Sequence, residues 1–317
     1  MTAARFDDHI PVLLEAVRQQ AGVRQDEVWV DCTLGFGGHT EQLLNDGALV
    51  IGIDQDRTTL SHTSNRLQHF EGRLTCIEGN FKDLADLLAS AGHDKVDGIL
   101  ADLGVSSKQL DEAERGFSFS KVGPIDMRMS STGETAESLI ERLDTKSLAQ
   151  VIRKYGEERY AYPIAQAIHR WFRLSTDRNT VQLAQVIAEA LPAKVRRTRN
   201  HHPATKTFQA LRIEVNDELG ALESLLEDGP KLLRTGGRLL VISFHSLEDR
   251  MVKKKFQKLA GHQLPSRGAA VPLPLTTTAV AKLRTSKPIT ANELEISQNP
   301  RSRSAKLRVV EVLETAA

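Results

Sequence analysis

The sequence predicts an α/β fold, a mostly parallel sheet carrying an inserted helical subdomain. Short apolar runs at 28–32, 49–53, 74–77 and 98–102 alternate with helical patterns. Spacings of about 20 to 25 residues are the rhythm of βαβ units. A fifth run, 238–244, returns only after a stretch far longer than one crossover helix needs, and a sixth lies at 307–313. The stretch between reads as helix, so an insertion is expected there.

Within that stretch, Leu148, Val151, Ile152 and Tyr155 fall at i, i+3, i+4 and i+7, with Ser147 placed as a cap. Ile164, Ile168, Trp171 and Phe172 form a second face behind Pro163, a residue suited to a first helical turn. Leu183, Val186, Ile187 and Leu191 repeat the pattern after Thr180. These place the insertion at 110–197, with 1–109 and 198–317 forming the sheet domain. One long amphipathic helix is expected over 207–226, with Phe208, Leu211, Val215, Leu219, Leu222 and Leu226 on one side and Gly229-Pro230 as its end. Beyond Lys258, Pro265, Pro272, Pro274 and Pro288 suggest an irregular excursion over 261–288.

The 317 residues suffice for about two domains with buried cores. Apolar residues at 40% and charged ones at 26% exclude a disordered or collagen-like chain. Two cysteines, Cys32 and Cys76, exclude a disulfide framework and fit a reducing compartment. The N-terminus shows no targeting segment, and the longest apolar run is too short to span a bilayer, so a cytoplasmic protein is expected. Net charge is only +1, yet from Lys253 onward 12 basic residues face 4 acidic ones. That tail is a candidate electrostatic surface, with a solvated face as the plain alternative.

The run from Val30 to Thr40 holds Gly35, Gly37 and Gly38 where the first strand hands over to a helix. Glycines there permit positive φ and close approach of a nucleotide-like ligand to a helix N-terminus. Thr40 stands where a dinucleotide-binding turn needs its third glycine, which weighs against a nicotinamide oxidoreductase. Asp54 ends the second strand, suited to accept hydrogen bonds from ribose hydroxyls. Phe81 follows the third strand and Asp102 ends the fourth, beside the expected ligand crevice.

These features sit within longer blocks. They include His9 to Glu15, Gly35 to His39, Asp102 to Asp111, Arg115 to Phe119, Gly123 to Met129, Tyr155 to Arg159, His202 to Arg212, Ser243 to Arg250 and Asn299 to Ser304. In that order they resemble the ribosomal small-subunit RNA cytosine-N4 methyltransferases, the RsmH or MraW family. The resemblance covers about residues 9 to 313. It implies a class I methyltransferase (Rossmann-like) sheet, S-adenosyl-L-methionine as donor, and a decoding-region cytosine of 16S rRNA as acceptor. The partner is then 16S rRNA or the small ribosomal subunit, with no membrane. Family cofactor contacts carry over to Gly37, Gly38, His39, Asp54, Phe81, Asp102 and Gln109. A catalytically silent RNA-binding assembly factor is the other reading, disfavoured by the retained Gly37, Asp54 and Asp102.

Methyl transfer from a sulfonium to an amine is an in-line displacement that needs positioning and no metal. The adjacent His201 and His202 lack metal-ligand spacing. Asp102 and His245 are the catalytic candidates. Asp102, or the carbonyls of Leu103 and Gly104, can accept an amino proton, while Asp102 serving only the donor's amino group is the alternative. His245 either orients the base or organises its loop. Phe117, Phe119, Met127 and Met129 are candidates to line a base pocket, or else to fill a helical core. Phosphate contacts are expected from Lys194, Arg196, Arg197 and Arg199, from Lys253, Lys254 and Lys255, and from Arg301 and Arg303.

Overall fold

The computed structural model describes residues 10–199, 201–262 and 278–314. His9, and Pro265, Pro272 and Pro274 of the Pro-rich segment, lie outside the described residues. The chain divides into two compact units, Met1–Gly104 with Gly220–Ala317, and Val105–Leu219. The second unit therefore begins before residue 110 and runs on to Leu219 instead of ending at residue 197.

The first unit is a seven-stranded sheet. Its strands are β1 (Val28–Asp31), β2 (Leu49–Asp54), β3 (Leu74–Glu78), β4 (Val96–Asp102), β5 (Leu233–Ser243), β6 (Ala281–Leu283) and β7 (Lys306–Val312), in spatial order β3-β2-β1-β4-β5-β7-β6. The first five run parallel, and β7 inserts antiparallel against β5. This is the arrangement that the family resemblance implies. The order reverses between β1 and β4, so the carboxyl ends of those two strands flank an open crevice.

Helix α1 (Leu14–Ala21) precedes β1, and α2 (Gly38–Asn45), α3 (Arg57–Arg66) and α4 (Leu84–Ser90) alternate with the first four strands. Because helices cover both faces of a parallel sheet, all four residues of β1 are buried, whereas β3 at the edge is half-exposed. Two apolar clusters flank the sheet, one including Val30, Ile99 and Leu225, the other Trp29, Leu100 and Leu240. β6 and a helix at Glu293–Gln298 fall where the sequence reads as irregular or carries no periodicity. β6 is only three residues long, too short to show the period-2 alternation that marks a strand.

The second unit is helical: α5 (Ser107–Asp111), α6 (Ala136–Arg142), α7 (Thr145–Gly156), α8 (Ala161–Leu174), α9 (Thr180–Glu189), α10 (Ala193–Thr198) and α11 (Thr205–Asn216). Ile140, Leu148, Ile152, Ile168, Leu183 and Leu211 are buried together, the faces that the 3.6-residue period selects. Asp144, not Ser147, caps α7, its carboxylate accepting the Ser147 N–H at 2.7 Å. The amphipathic stretch 207–226 is not one helix. Asp217 adopts φ +47°, ending α11, and α12 (Glu218–Leu232) starts afresh and carries Pro230 in its last turn. Packing of α11 on α7 is close because Gly156 has no side chain. A Cβ there would lie 2.4 Å from the Lys206 carbonyl oxygen.

Gly98 on β4 plays the same part beneath Trp29. A Cβ at this position would fall 2.4 Å from three indole carbons, with Trp29 fully buried. Overpacking of this kind costs about 1 to 3 kcal/mol. Gly98→Ala is therefore expected to lower the unfolding free energy by an amount in that range, read as a lower urea midpoint at unchanged slope, and an unchanged midpoint would show that the indole can slide aside.

Candidate active site at the strand ends

Asp31 closes β1, fully buried. Its Oδ2 accepts the Thr40 hydroxyl at 2.8 Å and its Oδ1 accepts the Thr33 N–H at 3.1 Å. Thr40 thus replaces a glycine for a reason of its own: its hydroxyl satisfies a buried acid. Burial pushes the Asp31 carboxyl up, against the lowering influence of His39, Thr40 and the Thr33 amide. The sequence run containing Asp31 draws attention to its glycines, and nothing in that pattern flags the acid.

His39, in the first turn of α2, is 6% exposed. Its Nε2 lies 3.5 Å from Asp102 Oδ2, an ion-pair contact rather than an aligned hydrogen bond. Neither ring nitrogen has a hydrogen-bond partner among the described residues, and neither does Asp102 Oδ1. Burial alone would lower the imidazole, but the adjacent Asp102 carboxylate and the charge of Asp31 outweigh it and raise its pKa. Asp102 itself is held by its backbone, which donates to Thr33 Oγ1 at 2.7 Å.

Asp54 ends β2. Its Oδ2 accepts the Gly35 N–H at 2.9 Å and its Oδ1 the Asp56 N–H at 2.8 Å. An ionised carboxylate offers about four acceptor positions, so one remains on each oxygen. Burial drives this carboxyl up to about 6 despite those two hydrogen bonds, and the charges of Asp56 and Asp31 add to the rise.

The glycines serve the turn differently. Gly37 has φ +74° and caps α2, and a Cβ on it would meet Thr63 Cγ2 at 2.6 Å. Gly38 is pressed on Pro11, where a Cβ would come within 2.3 Å of Cγ. Both are therefore required by the protein's own packing, leaving only their backbones to face a ligand. Gly35 (φ +50°) and Gly104 (φ +98°) have room instead, each with a single atom 3.7 Å from a built Cβ. Thr63 and Arg66 of α3 tie the turn down through the carbonyls of Gly35 and Phe36. Phe81 is half-buried against the sheet core. Asn80 beside it caps Lys82 and bonds Gln55.

Asp31 and Asp102 thus flank one imidazole, and Asp54 lies within electrostatic reach of Asp31. Buried polar atoms without a partner, such as His39 Nδ1 and Asp102 Oδ1, are costly unless a ligand satisfies them. An acid-lined crevice favours a cationic ligand. A sulfonium-bearing nucleoside with an amino-acid tail fits both conditions.

A model of the MraW methylase family matches residues 7–313. The chain belongs to that family. Two relatives carry the name Ribosomal RNA small subunit methyltransferase H. The one from Anaeromyxobacter sp. (strain K) is 47% identical over 310 residues, covering 96% of this chain and 98% of its own. The one from Myxococcus xanthus (strain DK1622) is 47% identical over 320 residues, covering 99% and 100%. A solved structure described as an rRNA methylase from Streptococcus thermophilus covers 95% of both chains at 13% identity and a TM-score of 0.40, too loose a likeness to add to the fold. As a member of the MraW family the chain is a methyltransferase.

For this methylase, the structure alters several expectations. His245 caps α13 (Ser246–Leu259). Its Nδ1 accepts the Glu248 N–H at 3.3 Å, while Glu248 Oε2 accepts the backbone N–H groups of Phe244 and His245. This reciprocal cap is the loop-organising role. Gln109 belongs to the second unit, where its Oε1 accepts the Ser106 N–H at 2.9 Å. Phe117, Met127 and Met129 are buried in the helical core, so they do not line an open pocket. Arg115 and Asn216 hold that loop by bonding the backbone at Met127, Arg128 and Met129.

Among the cations, Arg199 is paired at 2.7 Å with the buried Glu158 and Lys255 with Glu227, so neither is a simple phosphate ligand. Within the tail, Lys306 and Arg308 pair with Asp249, and Arg284 with Glu311. Lys194, Arg196, Arg197, Lys253, Lys254 and Arg303 are exposed, and Arg301 is half-buried. Among the described residues no helix is long and apolar enough to cross a membrane.

The raised Asp54 carboxyl has a pH signature. Its folded pKa of about 6 exceeds the ordinary value of 3.8, so between those values the folded state holds more protons than the unfolded. Stability must then rise as pH falls through about 6 and level off near 4. Relative to Asp54→Asn, which cannot titrate, the unliganded wild type should gain stability over that interval in denaturant titrations. Parallel pH profiles would contradict the burial argument.

Proposed function

We propose that this protein transfers a methyl group from S-adenosyl-L-methionine to the exocyclic N4 of a decoding-region cytosine in small-subunit (16S) ribosomal RNA. The observation that carries the reading is the acidic cluster at the strand ends, where His39 Nδ1 and Asp102 Oδ1 have no partner among the described residues, in a chain of the MraW family. The relatives' name supports the class of RNA. When bound, the donor supplies an electrophilic methyl on a sulfonium.

The chain's own residues supply position and field. Asp54 uses its remaining acceptor sites on the ribose hydroxyls, and the backbone of Gly37 and Gly38 borders the same ligand. Asp31 and Asp102 make the crevice negative, which favours a cation over its neutral product after transfer. His39, whose Nδ1 has no partner among the described residues, offers an N–H to the donor's carboxylate. Asp102 Oδ1 faces two uses, holding the donor's amino group or accepting a proton from the cytosine amine, whose lone pair is otherwise delocalised into the ring. His245 keeps the loop after β5 in place through its cap.

The reaction itself is the test. With S-adenosyl-L-methionine, small-subunit RNA and a chelator, nucleoside mass spectrometry should find one N4-methylcytidine. Methyl on cytosine C5, on a ribose, or on no small-subunit nucleotide would overturn the proposal. Asp102→Ala should abolish turnover, and calorimetry then separates its roles: lost donor affinity means a binding role, retained affinity a proton-accepting one.

Asp54→Ala should weaken donor binding more than tenfold, since a charged acceptor is worth about 1.5 to 3 kcal/mol. Because the ionised carboxylate is the acceptor, wild-type affinity should fall as pH drops through about 6. Asp54→Ala should bind weakly and without that step, and a retained step would assign it to another group.

A further inference from the structure

Resting on the functional reading above, the geometry points to a base-stacking platform on the second unit, made by His202 on Phe119, which takes an unpaired base of the substrate RNA. The two rings are stacked, with centroids 4.6 Å apart and planes 16° from parallel. Phe119 is anchored from within: its ring meets the buried Phe208 edge-on at 5.5 Å and 81°. His202 is exposed, so the stack rises from the core to the surface. Its orientation is fixed by Nδ1, which accepts the Ala204 N–H at 3.2 Å. A flat ring held rigid on an aromatic base and left open to solvent is the surface on which RNA-binding proteins stack unpaired bases.

The charges beside it fit the same ligand. Arg199 reaches Pro203, the residue after His202, by donating to its carbonyl at 3.3 Å, while pairing with the buried Glu158. That bond ties the end of α10 to the histidine loop, and the ion pair neutralises the buried Glu158. Lys194, Arg196 and Arg197 on α10 are exposed with no acidic partner among the described residues. A rigid ring flanked by free cations suits a nucleotide, base on ring and phosphates on cations. A solvated basic helix alone would need no ordered histidine.

The platform separates from plain electrostatics in one binding experiment on the full chain. The probes are a short single-stranded oligoribonucleotide and an abasic sugar-phosphate oligomer of equal length, titrated at several salt concentrations. His202→Ala should bind the base-bearing oligomer about tenfold more weakly, with its salt slope and its affinity for the abasic oligomer unchanged. His202→Tyr, which keeps a flat ring, should restore binding. Joint replacement of Lys194, Arg196 and Arg197 by Gln should instead flatten the salt slope for both oligomers.

Wild-type affinity in His202→Ala overturns the platform, and so does an equal loss on both oligomers. A lowered melting temperature without rescue by Tyr assigns His202 a structural role and overturns it too. A wild type that methylates small-subunit RNA yet binds neither oligomer has the same consequence. Absence of any methyl transfer to small-subunit RNA instead removes the functional reading itself.

Discussion

Everything at the candidate active site depends on keeping Asp31 buried at the end of β1. An isolated carboxylate in that position is costly. Thr40 and the Thr33 amide satisfy it directly, and the charge of His39 offsets it from the next turn. That choice constrains the rest. Thr40 must face inward, so α2 starts where it does, and the chain must turn sharply through Gly37 to bring it there. Thr33 then uses its hydroxyl on the Asp102 amide, linking β1 to β4 across the reversal of strand order. One buried acid thereby fixes the relation between the glycine turn and the end of β4.

The same arrangement explains why His39 and Asp102 tolerate unpaired atoms. The groups around them are already committed to Asp31 and to the strand ends, so they cannot swing over to fill the vacant positions. Buried polar groups without partners are held in place only when the surrounding structure over-determines them. A ligand that satisfies them recovers that cost on binding, and discrimination follows. A molecule of similar shape lacking the cation or the amino-acid tail would leave the same groups unsatisfied.

Much of the fold is legible in the residues because its signals are local and repeated. Leu49 to Asp54 and Gly98 to Asp102 are continuous apolar runs ending in acids, and strand ends with acids are readable as ligand positions. Other features depend on one residue overriding a pattern. Asp217 splits an unbroken amphipathic stretch by adopting a left-handed conformation, and no periodicity foretells that. The short β6 forms because β7 offers it an edge, a tertiary cause invisible to a three-residue segment. At the site, Asp54 and Asp102 are visible as strand ends, while Asp31 falls inside the apolar run 28–32, ahead of the glycines that draw attention. Gly37 and Gly38 read as ligand contacts, yet Thr63, Leu67 and Pro11 account for their missing side chains.

Charge shows the limits of counting most plainly. By number, the tail beyond Lys253 is the strongest basic segment, but Lys255, Arg284, Lys306 and Arg308 have acidic partners in the fold. The shorter run at 194–199 loses only Arg199 to an acid, and that loss anchors a loop. A cation already paired at short range presents a dipole to an approaching phosphate and releases few counterions when it meets one, whereas an unpaired cation contributes its full charge. The RNA-facing field of each unit is therefore set by the cations its acids leave over, which favours α10 in the second unit and Lys253, Lys254 and Arg303 in the first.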